Sequence, residues 1–155
     1  MEAYFDNSAT TIVTDSVKDI VVKTMTEDFG NPSAMHMVGV KAEKYIKEAQ
    51  ENIAKILKVD PKEIFFTSGG TESNNMAIIG TAMANKRKGN RIITTSVEHS
   101  SVLATMKYLE EQGFEVIYLP VDRYGVVQME ALEKEMTEDT ILVSTMYVNN
   151  EVGAI

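Results

Sequence analysis

The sequence predicts an α/β sandwich of three layers, with a mainly parallel sheet held between helices. Three observations carry this reading. From residue 63 onward, short runs of β-formers alternate with stretches of helical period: 63–67, 72–87, 91–96, 100–112, 114–119, 128–136 and 140–148. Strands separated by a helix pair in parallel through right-handed crossovers. The run Thr140-Ile141-Leu142-Val143-Ser144-Thr145-Met146 is apolar on both faces for most of its length, as a strand buried between helices requires.

Taken in order, residues 3–14 hold a short apolar start and a small polar loop, Asp6-Asn7-Ser8-Ala9-Thr10-Thr11. Val17, Ile20, Val21, Thr24 and Met25 recur at helical spacing, and Gly30-Asn31-Pro32-Ser33 breaks the pattern as a turn. A long helix follows, with Val38, Ala42, Tyr45, Ile46, Ala49, Ile53 and Ile56 on one stripe. Its outer face carries Glu43–Lys47 and Glu51–Lys55 in favourable i,i+4 order. Strand 63–67 stops at Ser68-Gly69-Gly70. Ser68, Thr71 and Ser73 are suited to cap the next helix, and Glu72 suits its positive end. Gly113 stands where a glycine should end helix 100–112.

The bulk composition narrows the function classes. At 155 residues and 44% hydrophobic content the chain can build one real core. A net charge of −8 argues against nucleic acid or an anionic membrane as partner. No apolar run approaches the ~20 residues of a membrane span, and Met1-Glu2-Ala3-Tyr4 does not read as a signal peptide. Zero cysteines leave neither a disulfide framework nor a thiolate metal site. The expectation is a cytoplasmic globular protein without a metal, its ten methionines serving as core filler.

Ligands of an open parallel sheet bind beyond the carboxyl ends of its strands. Three such ends carry distinctive residues: Ser68-Gly69-Gly70-Thr71, Val97-Glu98-His99-Ser100 and Val148-Asn149-Asn150-Glu151. The first, a strand running through a glycine turn into a helix, gathers free N–H groups and a helix dipole and so suits an anion. It is neither a P-loop, having no Gly-Lys-Ser/Thr, nor a G-x-G-x-x-G turn, and taken alone it reads first as a well-capped tight turn. His99 is either a solvated or capping residue, or a group that stacks on a heterocycle or moves a proton. Asn149 and Asn150 suit a turn, which asparagine favours, and Asn150 reads equally as a donor to a ring oxygen. His36 is expected at the surface or at an interface.

Together these segments resemble the amino-terminal part of a class V aminotransferase, specifically a cysteine desulfurase of the NifS/IscS group. The resemblance rests on Tyr4-Phe5-Asp6-Asn7-Ser8-Ala9-Thr10-Thr11, Phe29-Gly30-Asn31-Pro32-Ser33 with His36 and Gly39, and Phe66-Thr67-Ser68-Gly69-Gly70-Thr71-Glu72-Ser73-Asn74-Asn75. It continues through Glu98-His99 and Val148-Asn149-Asn150-Glu151-Val152-Gly153. It implies the fold type I of enzymes using pyridoxal 5′-phosphate (PLP), which take sulfur from L-cysteine, leaving alanine and a persulfide for iron–sulfur cluster or thiocofactor assembly. By position, Gly70 and Thr71 hold the PLP phosphate, His99 stacks on the ring with possible proton transfer, and Asn150 reaches the phenolic oxygen. Asn31 with Ala9, Thr10 and Thr11 line the substrate end.

The resemblance further implies a homodimer and a protein that accepts the sulfur. It divides the chain into a site-lining segment, 1–15, and a partial PLP-binding large domain, 16–155. The Schiff-base lysine, an acid for the ring nitrogen and the nucleophilic cysteine are expected downstream of Ile155, so the chain reads as truncated and inactive alone. Strand 63–67 is expected to lack its sheet neighbours. The alternatives are a selenocysteine lyase, another class V transferase, or an inert module that only dimerises or binds.

Overall fold

The computed structural model describes residues 3–155, so positions 1–2 of the expected 1–15 segment lie outside the described residues. The chain divides into two compact units, meeting between Phe66 and Thr67, and the 1–15 segment belongs to the first.

Unit 1 contains α1 (Asp15–Thr26), α2 (Met37–Leu57) and a 3-10 turn, Pro61–Glu63. The turn at 30–33 forms as expected: Asn31 Oδ1 accepts from Ser33 N–H at 2.9 Å, and Asn31 O from Ala34 N–H at 2.9 Å. Glycine is required on both sides of it. A Cβ on Gly30 would stand 2.2 Å from Val38 O, and one on Gly39 would stand 2.2 Å from Ala34 O. His36 is exposed and caps α2, its Nδ1 accepting from Gly39 N–H at 3.3 Å. Of the two charge pairs expected on α2, Glu43–Lys47 closes at 2.8 Å. Glu51 and Lys55 form no ion pair among the described residues, and Lys44 reaches Glu48 at 3.6 Å instead.

The apolar stripes of both helices depart from expectation. Val17, Ile20 and Met25 are exposed, and so are Val38, Ile46 and Ile56; the fully buried side chain of α2 is Ala54, which lies off the stripe. Helical periodicity identifies a face, and burial requires a partner for it. Within unit 1, α2 packs chiefly on the 3-10 turn, with Gln50 Nε2 donating to Ile64 O at 3.0 Å.

The polar centre of this unit is Asp28, which is buried. Lys41 Nζ lies 2.5 Å from its Oδ1, Tyr45 donates its hydroxyl to Oδ2 at 2.6 Å, and Lys23 stands at 3.6 Å. The Lys41 and Tyr45 hydrogen bonds hold the Asp28 carboxyl below its ordinary range. A lowered folded value means a stabilisation present above the unfolded value near 4 and lost as pH falls through the folded one. Asp28→Asn is therefore expected to destabilise unit 1 at neutral pH and to flatten its acid-side pH dependence. Hydrogen exchange of the α1 and α2 amides measures this; identical pH dependence in the variant would refute it.

Unit 2 alternates as the sequence indicates: α3 (Gly70–Asn85), β1 (Arg91–Thr95), α4 (Ser100–Glu111), β2 (Glu115–Leu119), α5 (Met129–Glu135) and β3 (Thr140–Ser144). The sheet is wholly parallel, in the order β2-β1-β3. The path runs from β1 out to β2, then back across to β3. Right-handed crossovers therefore put α4 and α5 on opposite faces. Ile78 and Ala82 of α3, Val102, Met106 and Leu109 of α4, and Ile92 and Phe114 form the core on the α4 side. Ile93, next along β1 and fully buried, faces the other way. Gly113 ends α4 at φ +87°, the left-handed position foreseen for it.

Two strand expectations need correction. Residues 63–67 form no strand: 61–63 are a 3-10 turn, and 64–67 pair with no other segment among the described residues. Ile64 keeps extended dihedrals, but a β-prone run becomes a strand only through a ladder, and Phe65 and Phe66 stay exposed. The last strand stops at Ser144 rather than 148, because Met146 N–H turns to a side chain instead of a neighbouring strand. As an edge strand, β3 is only half-buried, with Val143 exposed.

Candidate active site

The reversal of path at β1 makes its junction with β3 a switch point, and a crevice opens beyond the carboxyl ends of two such strands. A cleft of about 480 Å³ lies there, walled in part by Thr95, Val97, Thr145, Met146, Tyr147 and Asn149. A second, of about 620 Å³, includes Glu98, Asp122, Tyr124, Asn149 and Glu151. Neither has Gly70, Thr71, His99 or Asn150 in its walls. A separate groove in unit 1, along α2 by Val38, Lys41 and Lys44, holds none of the candidate site residues.

The helix that opens the Ser-Gly-Gly turn begins at Gly70, two residues earlier than its apolar period indicates, with Gly69 as N-cap. Its first backbone bond runs from Ser73 N–H to Gly69 O at 3.1 Å. The N–H groups of Gly70, Thr71 and Glu72 thus have no helical acceptor. Of the expected caps, Ser68 works in reverse: its N–H (2.6 Å) and hydroxyl (2.7 Å) both donate to Glu72 Oε2. These two bonds, the hydroxyl first, hold the Glu72 carboxyl below its ordinary range. Ser73 is engaged with the Thr67 hydroxyl at 2.6 Å. Thr71 is exposed on the open first turn.

His99 is the exposed N-cap of α4. Its Nδ1 accepts from Ser101 N–H at 3.1 Å and lies 2.8 Å from Ser101 Oγ. Ser101 Oγ in turn accepts from Asn74 Nδ2 at 2.9 Å, tying the first turns of α3 and α4 together. One turn deeper the Thr105 hydroxyl bonds Asn75 Oδ1, and Asn75 Nδ2 donates back to Thr71 O at 2.9 Å. The anion-suited turn and the histidine therefore sit on one polar seam.

The third loop is joined to the second by two side chains. Glu98, 7% exposed, accepts through Oε1 from the Thr95 hydroxyl at 2.8 Å and from Met146 N–H at 2.9 Å. Asn149 is buried; its Nδ2 donates to Val97 O at 3.1 Å, and its Oδ1 accepts from Glu151 and Val152 N–H. The turn-forming reading of this asparagine holds. Asn150 is exposed, its Nδ2 donating to Glu151 Oε1 at 2.7 Å. Glu98 as the clamp between two strand ends was not singled out from the sequence. Its signal is a lone acid directly before a helix cap, which becomes informative once the loop after β3 is known to face it.

Asn31, Ala9, Thr10 and Thr11 belong to unit 1 and are all exposed. Asn31 is already committed to its own turn, while Asp6 O accepts from the N–H groups of Ala9 at 3.1 Å and Thr10 at 3.3 Å. Among the described residues no helix is long and apolar enough to cross a membrane.

The chain matches the family model described as aminotransferase class-V over residues 3–155. It is 49% identical over 152 residues to a protein of Archaeoglobus fulgidus named cysteine desulfurase IscS 1, covering 98% of this chain and 40% of that one. A solved structure titled NifS-like protein superposes with a TM-score of 0.91 at 49% identity, covering 98% of this chain and 42% of the other. Another, titled SspA in complex with cysteine, gives a TM-score of 0.87 at 40% identity over 96% of this chain and 43% of its own. The chain thus spans about 40% of the length of the curated relatives it matches.

Proposed function

Because the chain belongs to the class-V aminotransferase family, we propose that it carries the phosphate-holding side of a PLP-dependent cysteine desulfurase. The residues fit that cofactor. Three N–H groups without helical acceptors, an exposed Thr71 and the positive end of a 16-residue helix suit a doubly charged phosphate without a lysine. The nearby carboxylate of Glu72 is occupied by Ser68. When bound, PLP supplies an electron sink for bonds at the substrate's amino-bearing carbon. Gly70 and Thr71 would hold its phosphate, His99 would cover its ring, and Asn150 would donate to its ring oxygen. Asn31 with Ala9, Thr10 and Thr11 would bind the substrate, L-cysteine. The same reading brings a homodimer, an acceptor protein for the sulfur and a cytoplasmic setting.

The observation that carries this reading is the open first turn of α3, hydrogen-bonded through Asn74 and Ser101 to the histidine that begins α4. A longer protein bearing this sequence is expected to convert L-cysteine to L-alanine in a PLP-dependent manner. The 155 residues alone contain no cysteine to receive the sulfur, and are expected to release no sulfide with PLP added. Stoichiometric sulfide release by the mass-verified 155-residue chain would contradict the second expectation. A PLP-replete longer protein that ignores L-cysteine but acts on another amino acid would contradict the first.

A further inference from the structure

Both histidines of this chain cap helices, but their rings are held differently. At His36 the ring takes one hydrogen bond among the described residues, from Gly39 N–H to Nδ1. At His99 the same nitrogen meets two groups, Ser101 N–H at 3.1 Å and Ser101 Oγ at 2.8 Å. A backbone N–H can only donate, so His99 Nδ1 is unprotonated and the proton of the neutral ring is on Nε2. The Ser101 hydroxyl must then also be a donor to Nδ1. Its oxygen is free to accept, and Asn74 Nδ2 stands at 2.9 Å to fill that role. The bonds run one way, from the Asn74 amide through the Ser101 hydroxyl to His99 Nδ1. Ser101 is only 7% exposed, so water competes poorly for its hydroxyl.

We propose that Ser101 and Asn74 are positioning residues that fix His99 as a neutral imidazole protonated at Nε2, with Nδ1 occupied by two donors. A helix cap needs only the backbone bond. The hydroxyl and the amide behind it are additional, and their effect is on the ring's chemistry. With Nδ1 taken and Nε2 already protonated, the neutral ring has no free lone pair with which to accept a proton from a ligand. Given the function proposed above, on which this consequence rests, His99 serves as a stacking ring with one N–H donor and does not act as the proton acceptor. The proton acceptor for the reaction is then a different group.

The test uses the chain labelled with 15N-histidine, whose two rings give separate signals in long-range 1H–15N spectra. It is run about two pH units above the ordinary imidazole value, where neutral rings report their tautomer. The expected result is His99 protonated at Nε2, with an Nδ1 resonance displaced from that of His36 by the second donor. Ser101→Ala keeps the backbone donor and removes the hydroxyl, so the Nδ1 resonance should move toward that of His36; Ser101→Thr should restore it. Asn74→Asp replaces the donor by an acceptor that draws the hydroxyl away from Nδ1. It should reproduce the Ser101→Ala shift although the hydroxyl remains. The His36 resonances, in the other unit, should not move.

A wild-type His99 protonated at Nδ1 overturns the proposal without any variant. A fixed Nδ1 resonance in both Ser101→Ala and Asn74→Asp overturns it too. None of these measurements needs PLP or turnover. A wrong tautomer therefore refutes this inference alone, and an enzyme that ignores L-cysteine refutes the proposed function alone.

Discussion

Replacing Glu98 by alanine is expected to destabilise unit 2 by about 2–6 kcal/mol, because it strips the acceptor from two donors in a shielded place. Each donor left unpaired costs about 1–3 kcal/mol, and the two here are the Thr95 hydroxyl and Met146 N–H. Glu98→Gln keeps an oxygen at Oε1 and forfeits only the charge assistance, so it should cost about 1 kcal/mol. Urea unfolding followed on the unit 2 amides separates the two. The same pair should differ in the loop after β3, with faster hydrogen exchange at 146–152 in the alanine variant alone. Equal stability of the alanine variant and the wild type would mean that the clamp does not hold the rim together.

The second large effect is on the cofactor. In a PLP-loaded enzyme bearing this sequence, Thr71→Ala should weaken retention by about 1.5–3 kcal/mol, one hydrogen bond to a charged group, or about 10- to 150-fold in affinity. Thr71→Ser should recover most of it. His99→Asn is the informative partner, since asparagine preserves a side-chain acceptor for the cap of α4 and lacks the ring. It should leave stability and retention nearly intact while lowering turnover, since in the proposed function the phosphate anchors the cofactor and the ring orients it. Equilibrium PLP binding with steady-state rates for the three variants decides the roles. Unchanged affinity in Thr71→Ala would reduce the Ser68–Thr71 stretch to a tight turn.

Much of unit 2 was legible because its signals are local. Alternation of period, the glycine after α4 and the polar residues beyond β1 and β3 are each written within a dozen positions, and the structure keeps them. What escaped depends on pairing. Ile64, Phe65 and Phe66 have the composition of a strand, but a strand is completed by a neighbour that composition does not specify. Val17 and Ile46 mark helical faces, and their exposure reflects what those faces meet. Glu98 and Asn149 were visible as residue types only. Their partners, Met146 and Val97, are 48 and 52 positions away, beyond any periodic pattern. For the site itself, the sequence pointed to Gly70, Thr71, His99 and Asn150, and it gave no sign that Ser101 and Asn74 stand behind the histidine.

The strand order also bears on how the molecule assembles. Partner β2 follows β1 through a single helical crossover, while β3 is about twice as far along the chain. Closing the longer loop costs only about 0.6 kcal/mol more at equilibrium, but distant contacts form more slowly. The β1–α4–β2 half, with Met106 and Leu109 already at its centre, is thus the expected nucleus, and β3 docks onto it afterwards. Folding then writes the rim in sequence. The first turn of α4 is in place early, and the loop bearing Asn150 closes last, when Met146 and Asn149 find Glu98 and Val97. The reverse path is the easiest local opening of unit 2, so the loop bearing Asn150 is also the least protected part of the rim.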